Sequence, residues 1–164
     1  MRSLVPVVCL FVVAVLACGV SFASLSLPAS VPLLADKTVQ IGTVDVSLDG
    51  SNLIVTYNVT EPNWGLLDTH LYVGRVAPTK AAPGKFAFKH GGLAGATTDT
   101  YTIPLNDVSG TLYLAAQADA IFDTGVQDRN GNEIFHDAGA WAAGTKIMAK
   151  GNWATYFSVV LPPV

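Results

Sequence analysis

The stretch that decides the fold is Thr43-Val44-Asp45-Val46-Ser47-Leu48-Asp49-Gly50-Ser51-Asn52-Leu53-Ile54-Val55-Thr56-Tyr57-Asn58-Val59. Val44, Val46 and Leu48 alternate with Thr43, Asp45 and Ser47, the two-residue period of a strand with one buried face. Asp49-Gly50-Ser51-Asn52 is turn chemistry, because Gly and Asn accept positive φ at little cost. Leu53, Val55, Tyr57 and Val59 then resume the alternation, so the pair predicts an antiparallel hairpin.

Downstream, Glu61-Pro62-Asn63-Trp64-Gly65 interrupts the pattern and Leu67 to Val76 resumes it. There Leu71 and Val73 share one face, and Asp68, His70 and Tyr72 the other. Residues 77–98 read as loop, with Pro78, Pro83-Gly84 and Gly91-Gly92. Asp99 to Leu105 predicts a short strand, with Pro104 suited to an edge or a strand end. Thr111 to Phe122 predicts a long strand whose one face is Leu112, Leu114, Ala116, Ala118 and Ala120. Its small alanines call for close sheet packing or a large facing side chain such as Trp. An amphipathic helix competes here, but the turn at Gly110 and the Leu112-Tyr113-Leu114 alternation favour a strand. Trp153 to Leu161 closes the series, and Pro162-Pro163 ends it. Six or more strands without a long helix predict an all-β protein, an antiparallel β-sandwich, with an open β-barrel as the alternative.

The start of the chain has a different character. Met1-Arg2 is a positive n-region, Leu4 to Val20 is almost wholly apolar, and Ser21-Phe22-Ala23 offers small residues for cleavage. Residues 1–23 are therefore expected to be a signal peptide, with a transmembrane anchor as the weaker reading. Val15-Leu16-Ala17-Cys18 also resembles a lipobox, which would lipidate Cys18, although Leu16 stands where a small residue is usual. Cleavage would remove Cys9 and Cys18, leaving a domain held by its core, its hydrogen bonds or a bound ion. Residues 24–36 are expected as a linker, or as an extended arm on the chain's own sheet or a neighbour's edge. Residues 37–164 are expected to form the single sandwich domain.

Without Arg2 the chain carries 8 basic and 12 acidic residues, a net charge of −4. It has no Lys/Arg cluster, which excludes a phosphate backbone or an anionic membrane surface as partner. Asn58-Val59-Thr60 is an N-glycosylation sequon, meaningful only in a eukaryotic secretory route.

Charge gathers in one place. Between Asp119 and Asp137 stand Asp119, Asp123, Asp128, Glu133 and Asp137, five of the twelve acids, against the single base Arg129. Calcium takes six to eight oxygen ligands, and closely spaced Asp and Asn side chains in a loop supply them. The expected ligands are Asp119, Asp123, Asp128, Asn130, Asn132 and Asp137, holding calcium as a structural brace. The loop is no EF-hand, because Glu133 stands where glycine is needed and Gly139 where a bidentate Glu is needed. The competing reading makes Asn130-Gly131 a two-residue hairpin turn, with arms Val126 to Arg129 and Asn132 to Phe135.

Two further constellations merit weighing. Asp68, His70 and His136 could make a nitrogen–oxygen site for a transition metal, though no tight ligand spacing supports it. Trp64, in a loop beside Pro62 and Gly65, is the best exposed aromatic for stacking on a sugar. Nucleophilic catalysis finds no Gly-x-Ser-x-Gly elbow, no thiol after cleavage and no glycine-rich phosphate loop.

Several blocks stand out together: Trp64-Gly-Leu-Leu-Asp-Thr-His-Leu71, Pro83-Gly-Lys-Phe86, Leu112-Tyr-Leu-Ala-Ala-Gln-Ala118, Ala140-Trp-Ala-Ala-Gly144 and Asn152-Trp-Ala-Thr-Tyr-Phe157. Together they loosely resemble an uncharacterised family of exported β domains in microbial surface and extracellular proteins. The chain departs from that pattern at Gln117, where the family carries His, and at Ala138, where it carries Glu. The resemblance implies an extracellular module and no reaction.

The expectation is a secreted, non-enzymatic surface or matrix module for adhesion or assembly. Its partners would be an extracellular protein, a glycan or a second copy. A carbohydrate-binding module using Trp64 and a small metal-dependent hydrolase using Asp68, His70 and His136 are the alternatives.

Overall fold

The computed structural model describes residues 23–106 and 109–163. The rest of the expected signal peptide, with Cys9 and Cys18, lies outside the described residues. Eleven strands follow in chain order: β1 (Leu25–Ser26), β2 (Ala29–Ala35), β3 (Val39–Asp49), β4 (Asn52–Val59), β5 (Trp64–Gly74), β6 (Phe88–His90), β7 (Thr98–Pro104), β8 (Gly110–Gln127), β9 (Glu133–Ala142), β10 (Thr145–Lys146) and β11 (Thr155–Leu161). Among the described residues no helix is long and apolar enough to cross a membrane.

The hairpin read from the alternation is β3–β4, with Val44 opposite Tyr57 and Val46 opposite Val55. Val44, Val46, Leu53, Val55 and Tyr57 are almost wholly buried. The hairpin sits in a layer ordered β2-β3-β4-β7. Gly42 near the start of β3 lies so close to β4 that a Cβ would collide with the Asn58 carbonyl oxygen. A side chain there would push the two strands apart.

The second layer is built on β8. Along one edge β8 pairs with β5 from Tyr113 to Phe122. Along the other edge it pairs first with β11, from Gly110 to Leu114, and then with β9 from Gln117 onward. The all-β fold is a sandwich whose mixed sheet does not close into a barrel. One pair, β1 with β11, is parallel, and the others are antiparallel.

The inner face of β8 is thin, as its alanines foretold. Ala118 stands opposite Ala140 and Ala120 opposite Ala138. The same buried core holds Leu33, Ile41 and Tyr57 from the facing layer, and none of the three is exposed. Large aliphatic and tyrosine side chains thus share the core with these alanines. Burying a side chain of that size contributes about 1.5–3 kcal/mol.

Residues 24–36, expected as a linker or an arm, form β1 and β2 of the chain's own sheets. β2 pairs with β3 along its length and with β9 through Leu33, Leu34 and Ala35, so it joins the two layers by backbone hydrogen bonds.

The opposite seam, between β7 and β5–β6, is joined differently. At one end the chain itself crosses over: Leu66 N–H donates to the Ala96 carbonyl, and Val59 N–H to the Thr97 carbonyl. Beyond that point side chains do the joining. Thr69 Oγ1 donates to Asp99 Oδ2 and lies 2.8 Å from the Tyr101 hydroxyl, which donates to the Thr69 carbonyl. His90 Nδ1 lies 2.9 Å from Asp99 Oδ1, and its ring stacks on Tyr101 at 4.2 Å. The Tyr57 hydroxyl crosses from β4 to donate to the His70 carbonyl on β5.

Burial pushes the Tyr57 hydroxyl well above its ordinary pKa, and negative charge at Tyr101 and Asp99 adds to the shift. Tyr101 is raised for the same main reason. A raised tyrosine keeps its proton when folded and loses it when unfolded, so its stabilisation is complete below the unfolded value of 10.0 and declines above it. Denaturant midpoints are accordingly expected to fall steeply above about pH 10, and Tyr57→Phe to flatten that fall. Tyr113→Phe, a change at a tyrosine outside this network, is expected to leave it in place.

Candidate functional site

The outer face of the β5–β8–β9 layer carries the polar residues that the sequence singled out. Alternation places Asp68, His70 and Tyr72 of β5 outward, while Thr69 and Leu71 turn inward and are fully buried. Register sets Asp68 opposite Asp119 and His70 opposite Gln117, and beyond Gln117 stands Trp141 of β9.

Three of these side chains, His70, Gln117 and Asp119, are wired together, and Asp68 is held separately. Gln117 Nε2 donates to Asp119 Oδ1 at 2.8 Å, so its Oε1 accepts, 2.7 Å from His70 Nδ1. Asp68 Oδ1 accepts from the Gly92 amide at 2.9 Å. Two carboxylates facing each other across strands repel. Here a separate donor serves each, one from the loop after β6 and one from Gln117.

Beside this row lies a second, smaller apolar cluster of Phe86, Ala115, Trp141 and Ala154, with Tyr72, Ala81, Ile147, Trp153 and Tyr156 packed around it. Phe86 and Trp141 meet edge to face at 6.3 Å. Trp141 and Trp153 thus brace the loops over the outer face. Gln117, only 5% exposed, is the polar boundary of this cluster.

The acidic stretch is not a loop. It consists of the end of β8, a turn and the start of β9, a strand of which the competing hairpin reading holds only the short arm Asn132 to Phe135. Asp128 N–H donates to the Asn132 carbonyl and Gly131 N–H to the Asp128 carbonyl, closing a turn over Arg129, Asn130 and Gly131 with Gly131 at φ +85°. This is a three-residue hairpin loop, not the two-residue Asn130-Gly131 turn. Asp128 organises it: one carboxylate oxygen accepts from the Asn130 and Asn132 amides, the other from Asn132 Nδ2. Those bonds, the Asn132 side chain first, hold the Asp128 carboxyl below its ordinary pKa.

The six expected calcium ligands are therefore spread out. Asp128, Asn130 and Asn132 sit in the turn, and the Asp128 carboxylate is already committed to it. Asp119 and Asp123 share one face of β8 four residues apart, about 13 Å at strand rise. Asp137 lies opposite Ile121, between them on the neighbouring strand. Asp123 itself accepts from the Gly125 amide. One ion with ligands at about 2.3–2.6 Å does not span such a ladder. Among the described residues no group of three or more His, Cys, Asp or Glu is placed to hold a metal.

The other nominated residues part in the same way. His136 lies opposite Phe122, five ladder positions from the Gln117 that faces His70, and its Nε2 approaches Asp36 Oδ2 at 3.2 Å. Asp68 and His70 stay adjacent, and His136 does not join them. Trp64 is the first residue of β5, not a loop residue, and it packs half-buried on the core with its ring 5.1 Å from Phe122.

Sequence reasoning missed two things here. The buried group Thr69, Asp99 and Tyr101 had one visible signal, an acid in the inward phase of Asp99-Thr-Tyr101-Thr-Ile103. The second is an exposed ribbon. β8 pairs with β5 only as far as Phe122, and β9 pairs with β2 only from Ala140. Residues 123–138 therefore project as two strands, and among the described residues no third strand pairs beside them. Two extra β8 residues bulge between the Asp123–Phe135 and Gln127–Glu133 pairs, held by Thr124 Oγ1 donating to the Ile134 carbonyl. Val126, Ile134 and Phe135 stand 55%, 42% and 48% exposed on this ribbon.

Comparison with known proteins adds no relative: no family model, curated protein or solved structure matches the chain.

Two outcomes follow from this geometry. Gln117→Ala is expected to destabilise the fold by about 1–3 kcal/mol, since it removes both hydrogen bonds of a buried amide and leaves a void, and urea denaturation measures it. Thermal melts with calcium and with chelator are expected to coincide. A calcium-dependent rise in midpoint would show that the carboxylates rearrange around an ion.

Proposed function

We propose that this chain is an exported, non-enzymatic surface or matrix module whose role is adhesion or assembly, and that the ribbon of residues 123–138 is its contact element. One observation carries the reading: the ribbon extends beyond every strand that supports it, yet displays apolar side chains. An isolated two-stranded hairpin is marginal in water. Ile134 and Phe135 fall on opposite faces of β9, so the ribbon offers an apolar side chain on each face for another molecule to dock against. The remaining exposed large apolar residues, Val39, Val76, Met148 and Val160, sit singly on separate segments. The export-like start of the sequence and its resemblance to exported β domains support the extracellular setting.

Of the ribbon only Ala138, at its base, is buried in the main core; the base is also held where Asp123 N–H donates to the Asn63 carbonyl and His136 meets Asp36. Replacing residues 124–134 with a tight Asn-Gly turn is therefore expected to leave the core folded. The purified shortened chain is expected to be retained on cells or extracellular matrix of the source organism roughly tenfold less than the native chain, in line with loss of a main contact element. Equal retention of the two would remove the ribbon from the interaction.

A further inference from the structure

We infer that the free edge of β9 receives an extended, cationic segment of another protein as an added strand. This names the partner class for the ribbon and rests on the contact role proposed for it.

The backbone geometry comes first. In an antiparallel ladder each residue turns its N–H and C=O to the same side, and successive residues alternate sides. The Gly139 carbonyl accepts from the Asp36 amide on the β2 side, away from β8. Counting back by twos, Asp137, Phe135 and Glu133 turn their backbone groups to that same side. β2 ends at Ala35, however, and its pairing with β9 stops at Ala140. Among the described residues no strand lies beside Glu133, Phe135 and Asp137, so a run of backbone donors and acceptors meets solvent.

Edges of this kind are normally blunted by charged side chains, Pro, a bulge or a covering loop. Here the charges are acidic, so they turn away an acidic strand and leave the edge open to a cationic one. The edge residues read acid, aromatic, acid: Glu133, Phe135 and Asp137, all exposed and all on one face. Asp123 and Asp128 of the same ribbon deepen the negative charge, and Arg129 at the tip is its only base. A strand laid along this edge places its side chains directly opposite these three. The complementary strand is basic, apolar, basic at alternate positions. Main-chain bonds would supply the affinity of such an addition, and the alternate side chains its selectivity. A second copy of this chain is a poor complement, because it carries net negative charge and no basic cluster.

The probe is the capped peptide Thr-Lys-Thr-Val-Thr-Lys-Thr, titrated into the full exported chain and followed by amide NMR shifts. Shifts at the Glu133, Phe135 and Asp137 amides are expected, with binding lost when alternate peptide amides are N-methylated. The same peptide with Glu for Lys is expected to bind roughly tenfold more weakly. The double variant Glu133→Lys, Asp137→Lys is expected to reverse that preference. Should the double variant not fold, the two peptides against the native chain still decide.

Equal binding of the two peptides, shifts located elsewhere, or no binding would overturn the inference. Concentration-dependent dimerisation abolished by Glu133→Lys would also overturn it, by giving the edge to a second copy. Retention lost on ribbon shortening while the peptide stays silent would defeat the strand-addition inference alone. Retention unchanged by shortening would defeat the contact role beneath it.

Discussion

The sandwich depends on how its two seams are held, and the two are held by different physics. On the β2 side the layers share a strand, and backbone hydrogen bonds run from β3 through β2 into β9. On the β7 side, past the crossing at Ala96 and Thr97, the join is a set of side chains: Thr69, Tyr101, Asp99, His90 and Tyr57. A buried polar group without a partner costs about 1–3 kcal/mol, so a network of this kind holds only when complete. It is complete here. Among the described residues no buried side-chain nitrogen or oxygen lacks a partner. The network also fixes where β5 lies, and so where its outward residues Asp68 and His70 are presented.

β8 supplies the second constraint. It serves one partner, β5, along one edge, and two partners in succession, β11 and β9, along the other. Its length exceeds what its neighbours can cover, and the surplus becomes the ribbon. Ala116, Ala118 and Ala120 permit the close approach of the facing layer, while Asp119 and Gln117 on the reverse face carry the polar row. A single strand thus divides apolar packing from surface chemistry by the alternation of its side chains.

Much of this was legible in the sequence. The β3–β4 hairpin, the two faces of β5 and the alanine face of β8 all follow from a period of two. Most of β9 was not legible. Ala138, Gly139, Ala140 and Ala142 lack the β-branched bulk that marks a strand, and the Asp, Asn and Gly residues before them imitate a loop. Reading that stretch as loop made its acids look convergent. As a ladder it spaces them along strands, and Asp128 closes a turn where a metal ligand had been expected. Trp64 was misplaced for a related reason: Pro62 and Gly65 signal a break, yet the strand already begins at Trp64.

The sequence by itself determined the all-β class, the alternation that sorts each strand into two faces, and the concentration of acids between Asp119 and Asp137. These are local properties, set by side-chain spacing along a few residues of chain. The tertiary structure alone decided which strands become neighbours. It brought Thr69 to Asp99 and Tyr101, set Asp68 against Asp119, kept His136 from His70, and left Glu133 to Asp137 without a strand beside them. Pairing between distant segments follows from burying one shared core, and no local pattern records where a neighbouring strand will stop.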